Sequence, residues 1–257
     1  KRQANLKEKK IRNGWLGSLS AFSSRLRWHC HFIQKLEMQP SLENTNMVRS
    51  FDKIRTKPNT EFFKCWSEGE LGVPMVDACM RFLKKNGWIN FRMRAMLVSF
   101  TSYHLWLHWK KPAIELARLF TDYEPGIHYS QVQMQSGTTG INSIRIYNPI
   151  KQGFDHDQYG TFIRKWVPEL TDMPLNHIHT PWECPLFMNG YPMPIVDEKI
   201  ARKAAADKIY SLKKTILHKQ ESLAIARKHG SRKPGLPRSR ARLNKTDLQT
   251  QLKELSL

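Results

Sequence analysis

The stretch from Pro74 to Phe120 constrains this chain most. Its apolar residues fall at helical spacing between clear start and stop signals. Proline suits the first position of a helix because its missing N–H would be unpaired there anyway, so Pro74 predicts a helix start. Met75, Ala78 (or Cys79), Phe82 and Leu83 then make one apolar face, and Asn86-Gly87 stops it. A second helix is expected from Phe91 to Trp109. It is apolar nearly all round, which places it centrally. A third is expected over Ala113 to Phe120, opened by Pro112. No sustained two-residue alternation occurs anywhere, so the expected class is all-α.

The flanks follow the same logic. Phe22, Leu26, Phe32, Ile33 and Leu36 predict a helix that starts with Ser20 or Ser23 as cap and ends at Met38-Gln39-Pro40-Ser41. Gly14 and Gly17 are expected to break any helix before it. Residues 41–60 read as a loop, with a short helical turn at Phe62 to Trp66. Residues 121–161 are rich in Gly, Thr, Asn, Gln and Tyr with little periodicity, and read as an ordered, functional loop. Phe162 to Leu170 is a short helix ending near Pro168, residues 172–195 are proline-rich coil, and Asp197 to about Leu223 is helical. His229 to Arg240 cannot hold a helix and reads as a mobile basic tail. The expected organisation is a polar segment over 1–20, a helical domain over 21–198 and a basic helix and tail over 199–257.

Charge narrows the partner. Lys and Arg number 42 against 22 Asp and Glu, a net charge of +20 among 257 residues. From Lys199 to Lys245 there are 15 Lys/Arg against Asp207 and Glu221. Such a balance favours a polyanion, nucleic acid or an anionic surface. No apolar run reaches the ~20 residues of a membrane span. The four cysteines, Cys30, Cys65, Cys79 and Cys184, form no closely spaced pair, which speaks against zinc and for reduced thiols. The chain does not begin with Met, which fits a fragment of a longer protein.

No nucleotide-binding P-loop, nucleophile elbow or zinc-protease motif is present. Arg and aromatic residues carry the interest instead. Trp28 lies in Arg25-Leu26-Arg27-Trp28-His29, where a flat ring can stack on a base while its neighbours meet phosphates. Arg94 opens an otherwise apolar helix, and Asp122 is its candidate partner. A buried Arg–Asp pair is costly, so it either marks a site or staples two helices.

Four ordered blocks then carry a resemblance. Trp66 to Arg81, Gly87-Trp88-Ile89-Asn90-Phe91-Arg92-Met93-Arg94, Arg145-Ile146-Tyr147-Asn148-Pro149 and Phe162 to Leu170 resemble signatures of the photolyase/cryptochrome family. The resemblance implies the helical FAD-binding domain of that family, here without the N-terminal α/β antenna domain and without the loop that wraps the flavin diphosphate. It implies FAD beside Arg94 and Asp122, with Tyr123, Glu124, Phe22 and His128 also on the flavin, His128 facing its nitrogen-5. Trp28 would stack on a flipped pyrimidine dimer. Arg25, Arg27, His29, Phe91, Arg92, Met134 and Gln152 fall at positions facing DNA. Trp109 matches the middle member of the family's electron-transfer chain.

Several residues depart from the family pattern. Arg25 stands where many photolyases have a dimer-bonding Glu. Phe91 replaces an Asn, Met134 a second lesion-stacking Trp, and Val132 the Trp nearest the flavin. Another electron route would run through Trp106, Tyr103 or Tyr129. The implied function is light-driven repair of cyclobutane pyrimidine dimers in UV-damaged DNA, by a monomer of a divergent bacterial branch, cytoplasmic and nucleoid-associated. The alternatives are a cryptochrome-like blue-light sensor, repair of (6–4) photoproducts, or a DNA-binding relic without flavin.

Overall fold

A computed structural model describes residues 14–230, and among them every regular element is helical, with no strand. The chain runs through α1 (Trp15–Met38), α2 (Thr60–Glu68), α3 (Pro74–Asn86), α4 (Phe91–Ser99), α5 (Lys110–Leu119), α6 (Pro125–Ser136), α7 (Pro149–His156), α8 (Thr161–Trp166), α9 (Glu198–Lys214) and α10 (Ile216–His229). Short 3₁₀ turns fill 40–53 and 168–187. The expected basic tail beyond Gly230 lies outside the described residues.

The α3 helix sits where its sequence puts it, with Pro74 in the first turn and Gly87 left-handed at the C-cap. Its buried face meets α2, α7 and α8, and the main core runs through Trp66, Leu71, Val76, Met80, Leu83, Met96, Leu97 and Trp109. Asp77 lies wholly inside this core. It accepts hydrogen bonds from the backbone N–H of Leu71 (2.9 Å) and Val73 (3.0 Å) and from the Tyr191 hydroxyl. That carboxylate ties the turn before α3 to a segment 114 residues on. A smaller cluster of Val48, Phe51, Tyr103, Ala205 and Ile209 fastens α9 to the body.

Several expectations change. The single helix expected from Asp197 to about Leu223 is two, α9 and α10, parted at Thr215, and α5 begins at Lys110, so Pro112 lies inside its first turn rather than opening it. The first helix begins at Trp15, not Ser20, and runs through Gly17. One interior glycine costs only about 1 kcal/mol, and Gly14, left-handed at the N-cap, sits outside the helix. The long helix over 91–109 stops at Ser99. A π turn follows over Phe100–His104, with the Leu105 N–H reaching back to the Phe100 carbonyl at 3.1 Å. The Ser99 and Thr101 hydroxyls bond backbone carbonyls of Arg145 and Val98, competing with the helical ladder.

The largest change is in 121–161, which holds two helices rather than a long loop. The Glu124 carboxylate caps α6 by accepting from the N–H groups of Gly126 (3.1 Å) and Ile127 (2.7 Å), Pro125 takes the first turn, and left-handed Gly137 ends it. No apolar stripe announces α6 because polar residues are buried on it. The fully buried Gln133 accepts from Met47 N–H at 2.7 Å and donates to the carbonyls of Leu42 and Thr45, both at 2.8 Å.

The α6 helix packs directly along α1. At Gly126 a Cβ would stand 2.7 Å from Ile33 Cα and 3.0 Å from the Phe32 carbonyl oxygen, backbone atoms that cannot turn aside. Gly126→Ala is therefore expected to force the two helices apart and cost about 2–3 kcal/mol. Chemical denaturation of the variant checks this, and an unchanged midpoint would show that α1 shifts freely.

Candidate functional site

A cavity of about 160 Å³ opens between α4, the end of α5 and α6. Its wall includes Phe91, Arg94, Asp122, Tyr123, Glu124 and His128, six of the candidates named from sequence. Arg94 Nη2 donates to Asp122 Oδ2 at 3.0 Å, and Arg94 Nε donates to the Ile89 carbonyl at 2.7 Å. The guanidinium lies over the Phe120 ring, 4.1 Å from its centroid. The pair is half-exposed rather than buried, so a buried ion pair is not what holds these helices together. An ion pair at such exposure adds little to stability. What it does is aim and fix a cation at the cavity wall.

His128 is buried among the rings of Phe120, Tyr123 and Tyr129, at 5.9, 5.2 and 5.2 Å. Its Nε2 lies 2.8 Å from the Ala113 carbonyl oxygen, which can only accept, so Nε2 carries the proton and Nδ1 keeps a lone pair. Burial, with the Arg94 charge adding to it, pushes its pKa down to about 4. A lowered folded-state pKa gives stability that is present above about 6.5 and lost as pH falls toward 4. The contribution is about 3 kcal/mol. The Asp77 carboxyl, raised to about 6 by burial, pulls the opposite way, since the folded state takes up its proton first as pH falls. Comparison with His128→Asn isolates the histidine. The stability advantage of the parent over that variant is expected to shrink by about 3 kcal/mol between pH 7 and pH 3.5. A constant difference would show that the ring is not held neutral.

The other candidates lie elsewhere. Phe22, Arg25, Arg27, Trp28 and His29 are all on α1, which leaves Trp15, Phe22, Leu26 and Trp28 exposed. None of them lines the cavity. Trp28 stacks on Phe32, ring centroids 5.6 Å apart. Arg92 is exposed beside Phe91, and Met134 is half-buried on α6. Gln152 is buried on α7, its Oε1 without a hydrogen-bond partner. Trp109 is in the core, donating to Asn46 Oδ1 at 2.6 Å, 6.4 Å from the Tyr129 ring.

Sequence reasoning missed Phe120, Ile127, Gln131 and Gln135 as wall residues. The signal was the spacing Glu124, Ile127, Gln131, Gln135, hidden once 121–161 is read as loop. Gln131 Oε1 is buried there without a partner. Apolar walls from Val98, Leu116, Phe120 and Ile127, one fixed cation and one orphaned amide oxygen suit a flat heterocycle with a polar edge. The residues present fit the ring end of a flavin dinucleotide, and the volume is that of part of such a molecule.

Comparison with known proteins adds the following. A profile described as the FAD binding domain of DNA photolyase matches residues 22–211. A deoxyribodipyrimidine photo-lyase of Agrobacterium fabrum is 33% identical over 208 residues, 77% of this chain and 43% of that protein. The Escherichia coli protein of the same description is 31% identical, over 72% of this chain and 41% of its own length. The chain thus spans about two fifths of the curated relatives it matches. The crystal structure of a bacterial class III photolyase from Agrobacterium tumefaciens superposes with a TM-score of 0.71 at 32% identity, covering 83% of this chain and 46% of that one.

Proposed function

This chain belongs to the photolyase/cryptochrome family, and from that premise we propose that it binds FAD in the cavity beside Arg94 and takes part in light-driven repair of pyrimidine dimers in DNA. The observation that carries the reading is the cavity itself. An Arg–Asp pair, a neutral histidine and an orphaned amide oxygen converge on one apolar slot. When bound in its reduced state, FAD supplies an electron donor driven by light.

The chain's own residues do the rest. Arg94, held by Asp122 and the Ile89 carbonyl, presents a fixed positive charge to the cavity that would favour an anionic form of a bound ring. His128 offers Nδ1 as an acceptor. With Nε2 engaged by Ala113 and the ring neutral at pH 7, it holds no second proton to give. Phe120, Val98 and Leu116 exclude water from one side of the slot.

DNA would lie along α1 and the start of α4. Arg25, Arg27, His29 and Arg92 are exposed there, and phosphate contacts of this kind give affinity that is independent of sequence and falls with salt. A damaged dinucleotide leaves the duplex at less cost than a paired one. Trp28 and Phe91, both exposed, are the rings on which it would rest. Reduced, FAD-loaded protein should restore dimer-containing oligonucleotides under blue light and leave them unchanged in the dark. Intact dimers after illumination would sink the reading.

A further inference from the structure

On another face, a groove of about 660 Å³ is lined by Lys53, Arg55, Lys57, Trp106, Asp207 and Lys208, with the hydroxyl residues Thr56 and Ser211. It shares no residue with the cavity beside Arg94. Four cations face one carboxylate, and among the described residues none of the four is ion-paired.

Arg55 is the informative member, because it is only 5% exposed. Its Nη1 donates to the Ser136 carbonyl, the last residue of α6, at 3.0 Å. Its Nε and Nη2 are shielded from water with no well-formed hydrogen bond, and the only side chain that answers them is the buried, neutral Tyr103, whose ring lies 5.2 Å away. A buried guanidinium with no counter-charge is costly, so it normally has an anion. Burial pushes its pKa down to about 10, still charged at neutral pH.

Trp106 lies over this guanidinium at 4.7 Å, and Lys208 Nζ approaches the same indole at 4.6 Å. Arg55 (φ 56°) and Trp106 (φ 53°) are two of only three non-glycine residues with left-handed backbone among those described. Such strained residues cluster at ligand clamps and switch regions. The backbone holds both side chains in the groove at a conformational cost, and apart from the neighbouring Tyr103 no group of the protein meets the two remaining donors.

We propose that this groove binds a phosphorylated small molecule. Its phosphate oxygens would take the free Arg55 donors, with Lys57 and Lys208 closing over them and the indole of Trp106 moving aside. The donor set is cationic and hydroxylic, which suits oxygens of a phosphate ester. The volume exceeds that of a bare oxyanion and matches a nucleotide-sized ligand.

The test is calorimetric titration of the FAD-saturated full chain with ADP and, in parallel, with pyrophosphate. One saturable site that weakens with added salt is expected. The double variant Lys57→Gln/Lys208→Gln changes two exposed residues and should fold normally, yet bind at least about tenfold more weakly. Arg55→Lys, which keeps the charge and loses the fork, should weaken binding as well. Lys165→Gln, an exposed cation outside both cavities, should leave it unchanged. Absence of saturable binding, equal affinity in the double variant, or an equal loss through Lys165→Gln would each overturn the proposal. So would a double variant that loses affinity only for undamaged duplex DNA, which would make the groove a DNA backbone surface.

Discussion

Replacing Arg94 with leucine is expected to lower FAD affinity about 10- to 100-fold while leaving the fold intact. A charge-assisted hydrogen bond to a ligand contributes roughly 1.5–3 kcal/mol, and here the donor is positioned in advance. The Asp122 carboxylate and the Ile89 carbonyl hold the guanidinium in place before any ligand arrives, so little order has to be gained on binding. The stability cost should be small, because Asp122 is about half exposed and stays hydrated when its partner is gone. Arg94→Lys keeps the charge but cannot meet the Ile89 carbonyl and Asp122 at once. It should lie between leucine and the parent. Flavin retention through gel filtration and a fluorescence titration measure both variants. A leucine variant that holds flavin as tightly as the parent would move the cofactor away from this cavity.

Asp77→Ala is expected to cause the largest loss of stability, of order 4 kcal/mol. It orphans three donors at once: the N–H groups of Leu71 and Val73 and the Tyr191 hydroxyl, all inside the core. Each buried donor left unpaired costs about 1–3 kcal/mol. Asp77→Asn should recover only part of this, because its amide nitrogen would face donors rather than acceptors. Urea denaturation at pH 7 gives the values. If alanine cost less than about 1 kcal/mol, the turn before α3 would be finding other partners.

Much of the fold was legible because its signals are local. Pro74 and Gly87 bracket α3 through constraints that act on the backbone at those positions. The pairing of Arg94 with Asp122 was legible only as one of two alternatives. Spacing brings the two near each other, but whether they staple buried helices or face a cavity depends on what packs around them. The half-exposed pair at the cavity wall answers that.

The α6 helix shows where local signals fail. Pattern reading needs an apolar stripe, and α6 buries Gln133, Ser136 and His128 instead. For two of them the partners come from other elements: Leu42 and Thr45 for Gln133, Ala113 for His128. The groove at Arg55 was invisible for the same reason. Lys53, Arg55 and Lys57 read as ordinary loop cations until Trp106 and Lys208 arrive from other elements.

The sequence alone thus determined the helical class, the bounds of α3 set by Pro74 and Gly87, the family and the excess of cations, since each depends on residue type or near neighbours. Only the tertiary structure decided which polar groups are satisfied, which histidine is neutral and which arginine lacks a partner. Those properties come from burial and from contacts between distant segments, and no linear pattern encodes them.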